Sequence, residues 1–208
     1  MTAQATAFDP ESHTYTIGGR RVPSVTDVLS DLLPCWQASE WYLERGRAVH
    51  ACAAMIARKQ GFEHDPQILG QVQALQRFWA EVKPELPVVE MQVYSQRYLY
   101  GGTLDLVATM GIKRVVVDYK ASPSPATVYQ LAAYSLAYEE MGGMSVPWGC
   151  EVVITEDGYK MGAMVNLNRA QREWLMLLAA HKIRQIIVFR PRRRQHENRD
   201  SNSRTTPG

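Results

Sequence analysis

Apolar and polar residues alternate through His13-Thr14-Tyr15-Thr16-Ile17, the chain turns at Gly18-Gly19, and alternation resumes at Arg20-Arg21-Val22. This pattern predicts a short hairpin. Pro23-Ser24-Val25-Thr26-Asp27 follows as a helix start, with Ser24 as the cap. Apolar positions then fall at helical spacing over 39–60 (Val49, Cys52 and Ile56 among them) and over 66–82, through Ile68, Val72, Leu75, Phe78 and Trp79. Pro84 and Pro87 end the second of these helices. Three strands are expected next, over 88–95, 98–110 and 113–121. The short loops between them favour an antiparallel meander. Gly101-Gly102 lies inside the second strand and marks a bulge or a close backbone approach. A helix over 125–141, strands over 148–155 and 159–166 about the turn Glu156-Asp157-Gly158, and a helix over 168–189 complete the order. The whole predicts an α/β layered domain with a mixed central sheet.

Length and composition narrow this picture. The 208 residues suffice for one hydrophobic core, and 46% apolar with 21% charged residues is ordinary for a globular chain. No apolar run reaches membrane-spanning length, and Met1 to Asp9 has neither the basic start nor the apolar core of a secretory leader. Cys35, Cys52 and Cys150 are odd in number and widely spaced, which argues against disulfide frameworks and zinc ribbons and for reduced thiols in a cytoplasm. The net charge of +2 is unevenly spread. The segment 190–208 holds six Arg against Glu197 and Asp200, so the rest of the chain is slightly acidic. That tail reads either as a solubilising end or as a loose phosphate-binding arm.

The sharpest chemical signal is Val116-Val117-Asp118-Tyr119-Lys120. Alternation puts Asp118 and Lys120 on one face at the end of an apolar strand. The preceding strand holds a lone acid, Asp105, between Leu104 and Leu106. Two carboxylates on adjacent strands offer hard oxygen ligands for Mg²⁺ or Mn²⁺, and a lysine beside them suits a phosphate reaction. The plain alternative is a strand-end ion pair. His50, in Gly46-Arg47-Ala48-Val49-His50, faces inward either as a site residue or as a hydrogen-bonded core histidine. Glu90 is a second lone acid, or a solvated strand residue. Gln130 and Tyr134 share a helix face by their i,i+4 spacing and by themselves read as surface.

Taken in order, GxxxH at 46–50, Glu90, GxxDxx around Asp105, DxK at 118–120 and QxxxY at 130–134 resemble the RecB-like branch of the PD-(D/E)XK nuclease superfamily. This branch includes small phage-type exonucleases, the mitochondrial genome maintenance exonuclease and the CRISPR adaptation nucleases. The likeness reaches over residues 8 to 140, and the opening from Phe8-Asp9-Pro10 to Pro23-Ser24-Val25-Thr26 is similar to small phage members. The resemblance implies a restriction-endonuclease-like three-layer fold with a central mixed sheet flanked by helices. An N-terminal hairpin and short helix (1–38) would precede a nuclease core (39–189) and a basic tail (190–208). It implies a DNA exonuclease of the bacterial or phage-infected cytoplasm, serving recombination, replication or repair. An endonuclease of the same superfamily and a non-catalytic nucleic-acid-binding module are the alternatives. Asp105, Asp118 and Lys120 would be catalytic. His50, Glu90, Asp105, Asp118 and the Tyr119 carbonyl would hold one or two Mg²⁺ or Mn²⁺ ions, and Gln130, Tyr134 and Arg47 would engage DNA or position the lysine. The substrate would be single- or double-stranded DNA, with a single-strand annealing or binding protein and self-assembly as candidate partnerships and no membrane. An iron–sulfur cluster of the kind some relatives carry is not expected, since only Cys150 lies in the relevant region and ligation needs four thiolates.

Overall fold

The expected hairpin forms as β2 (Thr14–Ile17) and β3 (Arg20–Val22), and β1 (Thr6–Asp9) joins it as a third antiparallel strand. This added strand is mostly exposed and carries no core alternation, which is why its pattern does not announce it. The computed structural model describes residues 4–34 and 40–188. Cys35 and the basic segment 190–208 lie outside them.

Ser24 caps α1 (Val25–Leu32) with a full capping box: its hydroxyl accepts the Asp27 amide at 3.0 Å, and Asp27 accepts the Ser24 amide at 3.1 Å. α2 (Glu40–Ala57) ends just before Lys59, whose φ of 55° is left-handed and cannot continue a helix. A 3₁₀ turn at Pro66–Ile68 leads into α3 (Leu69–Val82). β4 (Glu85–Ser95), β5 (Tyr100–Met110) and β6 (Lys113–Lys120) form the expected antiparallel meander. α4 (Thr127–Glu140) then crosses over to β7 (Trp148–Ile154), which pairs parallel with β6. That crossover makes the sheet mixed. The strand expected over 159–166 is two short pieces, β8 (Tyr159–Met161) and β9 (Val165–Asn166), each antiparallel to β7. Between them the Gly162 amide donates to the Glu151 carbonyl at 2.8 Å. α5 (Asn168–Val188) closes the described chain.

The sheet is thus covered on both faces. Val116, Leu104 and Val107 pack beneath α1, α4 and α5, with Trp174 and Leu131 among the largest buried groups. Val115, Val117 and Leu106 pack on the opposite face with α2 and α3, through Val49, Leu75 and Phe78. Among the described residues no helix is long and apolar enough to cross a membrane.

Gly101-Gly102 proves to be the site of two close approaches. A Cβ on Gly101 would lie 2.8 Å from the Tyr15 ring, and one on Gly102 would lie 2.6 Å from Tyr134 Cε1. The hairpin thereby rests on one side of β5 and α4 on the other. Gly102→Ala is therefore expected to destabilise the protein by about 1–3 kcal/mol through overpacking, read as a lower midpoint in urea. An unchanged midpoint would mean that the Tyr134 ring yields without cost.

Candidate active site

The site is built where two strands part. β5 and β6 pair from Met110↔Lys113 to Leu106↔Val117 and then separate. Past Val117, β6 keeps only its other neighbour, with Asp118 opposite Glu151 and Lys120 opposite Val153 on β7. The Tyr119 amide, left without a β5 carbonyl, donates instead to Asp105 Oδ2 at 2.8 Å. The Asp105 carboxylate therefore sits inside the fork. Alternation along β5 breaks there too: Leu104 belongs to the core under α4 and Leu106 to the core under α2 and α3, though they are two residues apart.

Across from Asp105, between the pairs Val89↔Leu106 and Met91↔Leu104, stands Glu90. Its φ of 48° is left-handed, a conformation that costs a non-glycine residue roughly 1 kcal/mol or more. From α2, His50 Nδ1 reaches Asp105 Oδ1 at 3.0 Å. One ligating atom from each of His50, Glu90 and Asp105 lies within 4.8 Å of the others. The donor set, one imidazole and two carboxylates, could hold a metal ion.

Asp118 and Lys120 form the second half. Asp118 is 1% exposed, and its Oδ2 lies 2.7 Å from Lys120 Nζ. Its buried Oδ1 has no hydrogen-bond partner among the described residues. An orphaned buried carboxylate oxygen is rare in a native fold and suits a ligand to a cation. Lys120 Nζ also donates to Gln130 Oε1 at 2.9 Å, and Gln130 Nε2 donates to the Tyr134 hydroxyl at 3.0 Å. Gln130 and Tyr134 are both buried, so this helix pair is not the surface feature its spacing suggests. It fixes the lysine.

The charges are tightly coupled. Burial alone would lower the His50 imidazolium, but Asp105, with Asp118 and Glu90, raises it to about 9. Glu90 is pushed up to about 7, by burial first and by the Asp105 charge next. Burial raises Asp118 to about 6 even though Lys120 opposes it. Lys120 is held above its ordinary value because Asp118 outweighs the effect of burial.

The structure thus gathers His50, Glu90, Asp105, Asp118, Tyr119, Lys120, Gln130 and Tyr134 at one fork. Arg47 is exposed on α2, one turn before His50. Glu151, which the motifs do not include, also belongs here. Its Oε1 accepts the Ser124 amide at 3.0 Å and the Thr127 hydroxyl at 2.6 Å, which anchors the loop from Lys120 to α4. The available signal was the same as for Asp105: a lone acid inside the apolar run Trp148–Ile154. Cys52 and Cys150 are buried free thiols.

No protein-family profile matches the chain, and no curated protein matches its sequence. Similar solved structures include a protein from Eubacterium rectale assigned as an exonuclease, at 11% identity and TM-score 0.48, over 77% of this chain and 71% of that one. Another is an alkaline exonuclease from Laribacter hongkongensis, at 12% identity and TM-score 0.43, over 79% of this chain and 88% of the other.

Proposed function

We propose that this chain is a divalent-metal-dependent deoxyribonuclease that hydrolyses phosphodiester bonds, and that it works as an exonuclease. The observation that carries the reading is the fork itself: a His–Glu–Asp cluster beside a buried carboxylate–lysine pair whose carboxylate has an unpartnered oxygen. A strand-end ion pair needs neither the convergence of His50 and Glu90 on Asp105 nor a second buried carboxylate. The exonuclease form rests on the resemblance of the opening segment, Phe8-Asp9-Pro10 to Pro23-Ser24-Val25-Thr26, to small phage-type members.

His50, Glu90 and Asp105 would hold Mg²⁺ or Mn²⁺, with Asp118 Oδ1 available to a first or second ion. Such an ion supplies Lewis acidity toward the phosphate and the attacking water. The chain's own residues do the rest. Asp105 ties the Tyr119 backbone to the fork, so the ligands and Lys120 keep one spacing. Asp118 and Gln130 hold the Lys120 ammonium in place, where it orients the attacking water or stabilises charge growing on the phosphate oxygens. Tyr134 steadies Gln130 in turn. The held ammonium and a bound cation together would offset the acidity of the folded body toward a polyanionic substrate.

Metal binding must displace protons from these ligands. His50 keeps its proton below about pH 9, and Glu90 keeps its own below about pH 7. Mn²⁺ affinity is therefore expected to tighten as pH rises from 6 to 9, by up to about tenfold per unit for each proton released, measured by titration calorimetry in buffers of differing ionisation heat. Affinity that stays flat over this range would place the ion on other groups. Digestion of linear DNA beside end-blocked circular DNA tests the exonuclease form: linear DNA alone should be degraded, and nicking of the circle at a matching rate would make the enzyme an endonuclease.

A further inference from the structure

α5 has two apolar faces. One is turned inward and buries Ala170, Trp174, Leu178 and His181 on the side of α1 and α4. The other lies half a turn round the helix, where Met176, Ala179, Ala180, Ile183 and Ile187 recur at helical spacing and are all exposed. Met176, Ile183 and Ile187 are 58 to 69% exposed, and no charged residue falls on this face between Met176 and Ile187. A helix on the outside of a domain needs one apolar face to join the core. The second face serves no contact within the described residues.

The order of residues along the stripe indicates what covers it. Met176 and Ile183 stand at equal distances on either side of the small pair Ala179-Ala180. An antiparallel copy of the same helix, crossing at the alanines, therefore sets Met176 beside Ile183 twice over, which is the self-complementarity of a two-fold contact. Glu173 and Arg184 lie on one edge of the stripe, before and after the alanines. In such a crossing each Arg184 comes alongside the other copy's Glu173, offset by about 3 Å of helical rise. Within one copy these charges pair with Asp31 and Arg169, so they steer the approach more than they hold it. The stripe exposes roughly 500 Å² per copy, and about 1,000 Å² for a pair is where specific interfaces begin. The chain's own end offers no substitute, since Arg190 to Gly208 has no apolar side chain besides Pro191 and Pro207.

We propose that the outer face of α5 is an interface with a second copy of this chain, the two helices crossing antiparallel at Ala179-Ala180. None of its residues belongs to the fork, so the pairing stands or falls independently of the nuclease reading.

Sedimentation of the full chain over a concentration series tests it, with circular dichroism as the check on folding. The wild type should dimerise with a Kd of about 1–10 µM, as befits an interface of this size. Ile183→Glu should keep the wild-type spectrum and weaken dimerisation at least about a hundredfold, because the charge is introduced twice at the centre of the contact. Cross-linking reads the geometry. In a Cys35→Ser background, which leaves only the buried thiols of Cys52 and Cys150, Ala180→Cys should form a disulfide-linked dimer under mild oxidation. Arg172→Cys should not, since the crossing holds the two copies of that position about 20 Å apart along the axis. A wild type that stays monomeric up to about 100 µM would overturn the proposal. So would a dimer that Ile183→Glu leaves intact, or one that cross-links at position 172 as readily as at position 180.

Discussion

Asp105→Asn protein is expected to fold like the wild type and to lose Mg²⁺-dependent DNA cleavage by at least about a hundredfold. Asparagine keeps a side-chain oxygen able to accept the Tyr119 amide, so the fork retains the hydrogen bond now made at 2.8 Å. What disappears is the negative charge shared with His50 and Glu90. Mn²⁺ binding should weaken with it, because a carbonyl oxygen is a poorer ligand than a carboxylate for a hard dication. Calorimetry and circular dichroism read the two halves separately. Intact metal binding together with lost cleavage would move Asp105 from ligand to structural support. Intact cleavage would remove it from the site.

Asp118→Asn should have the unusual result of a dead enzyme that is more stable than its parent. Asp118 is almost wholly buried, and burial lifts it from 3.8 to about 6 even beside Lys120. The folded protein thus holds this proton where the unfolded chain has already released it. Its contribution to stability is fully present below about pH 4 and is lost as pH rises through about 6. At pH 8 the charged form is a burden, and asparagine removes it. Lys120 is a quarter exposed, so its ammonium still meets solvent and keeps its bond to Gln130. The variant should be about 1–3 kcal/mol more stable than wild type at pH 8, converging with it below about pH 4. Its cleavage rate should fall by about a hundredfold or more, since Lys120 loses its anchor and the unpartnered oxygen disappears. Urea unfolding at pH 4 and pH 8 checks the sign. A variant less stable at pH 8 would show that the ion pair outweighs the burial of its carboxylate.

Both effects arise from residues whose placement was partly legible in the chain. Period-two alternation is local, so β2, β3 and the strand carrying Asp118 and Lys120 could be read directly. The Ser24 cap and the paired glycines also announce themselves through short-range sterics. The mixed α/β architecture follows from the order of elements. Other features depend on distant contacts. Glu90 joins the cluster only because strand register sets it opposite Asp105 and its backbone turns left-handed there. The break in alternation at Asp105 needs the parting of β5 from β6, which depends on β7 capturing the end of β6. Gln130 and Tyr134 look superficial by helical spacing because an amphipathic reading assumes one wet face. α4 is instead packed against the sheet on one side and α1 and α5 on the other.

A time course on end-labelled single-stranded and duplex DNA tests the central claim most directly, run with Mg²⁺, with Mn²⁺ and with chelator, for wild type and Asp105→Asn in parallel. The account predicts metal-dependent shortening by the wild type, none in chelator, and at least about a hundredfold slower loss of label by the variant. Cleavage that persists in chelator, or that Asp105→Asn carries out at the wild-type rate, would contradict it.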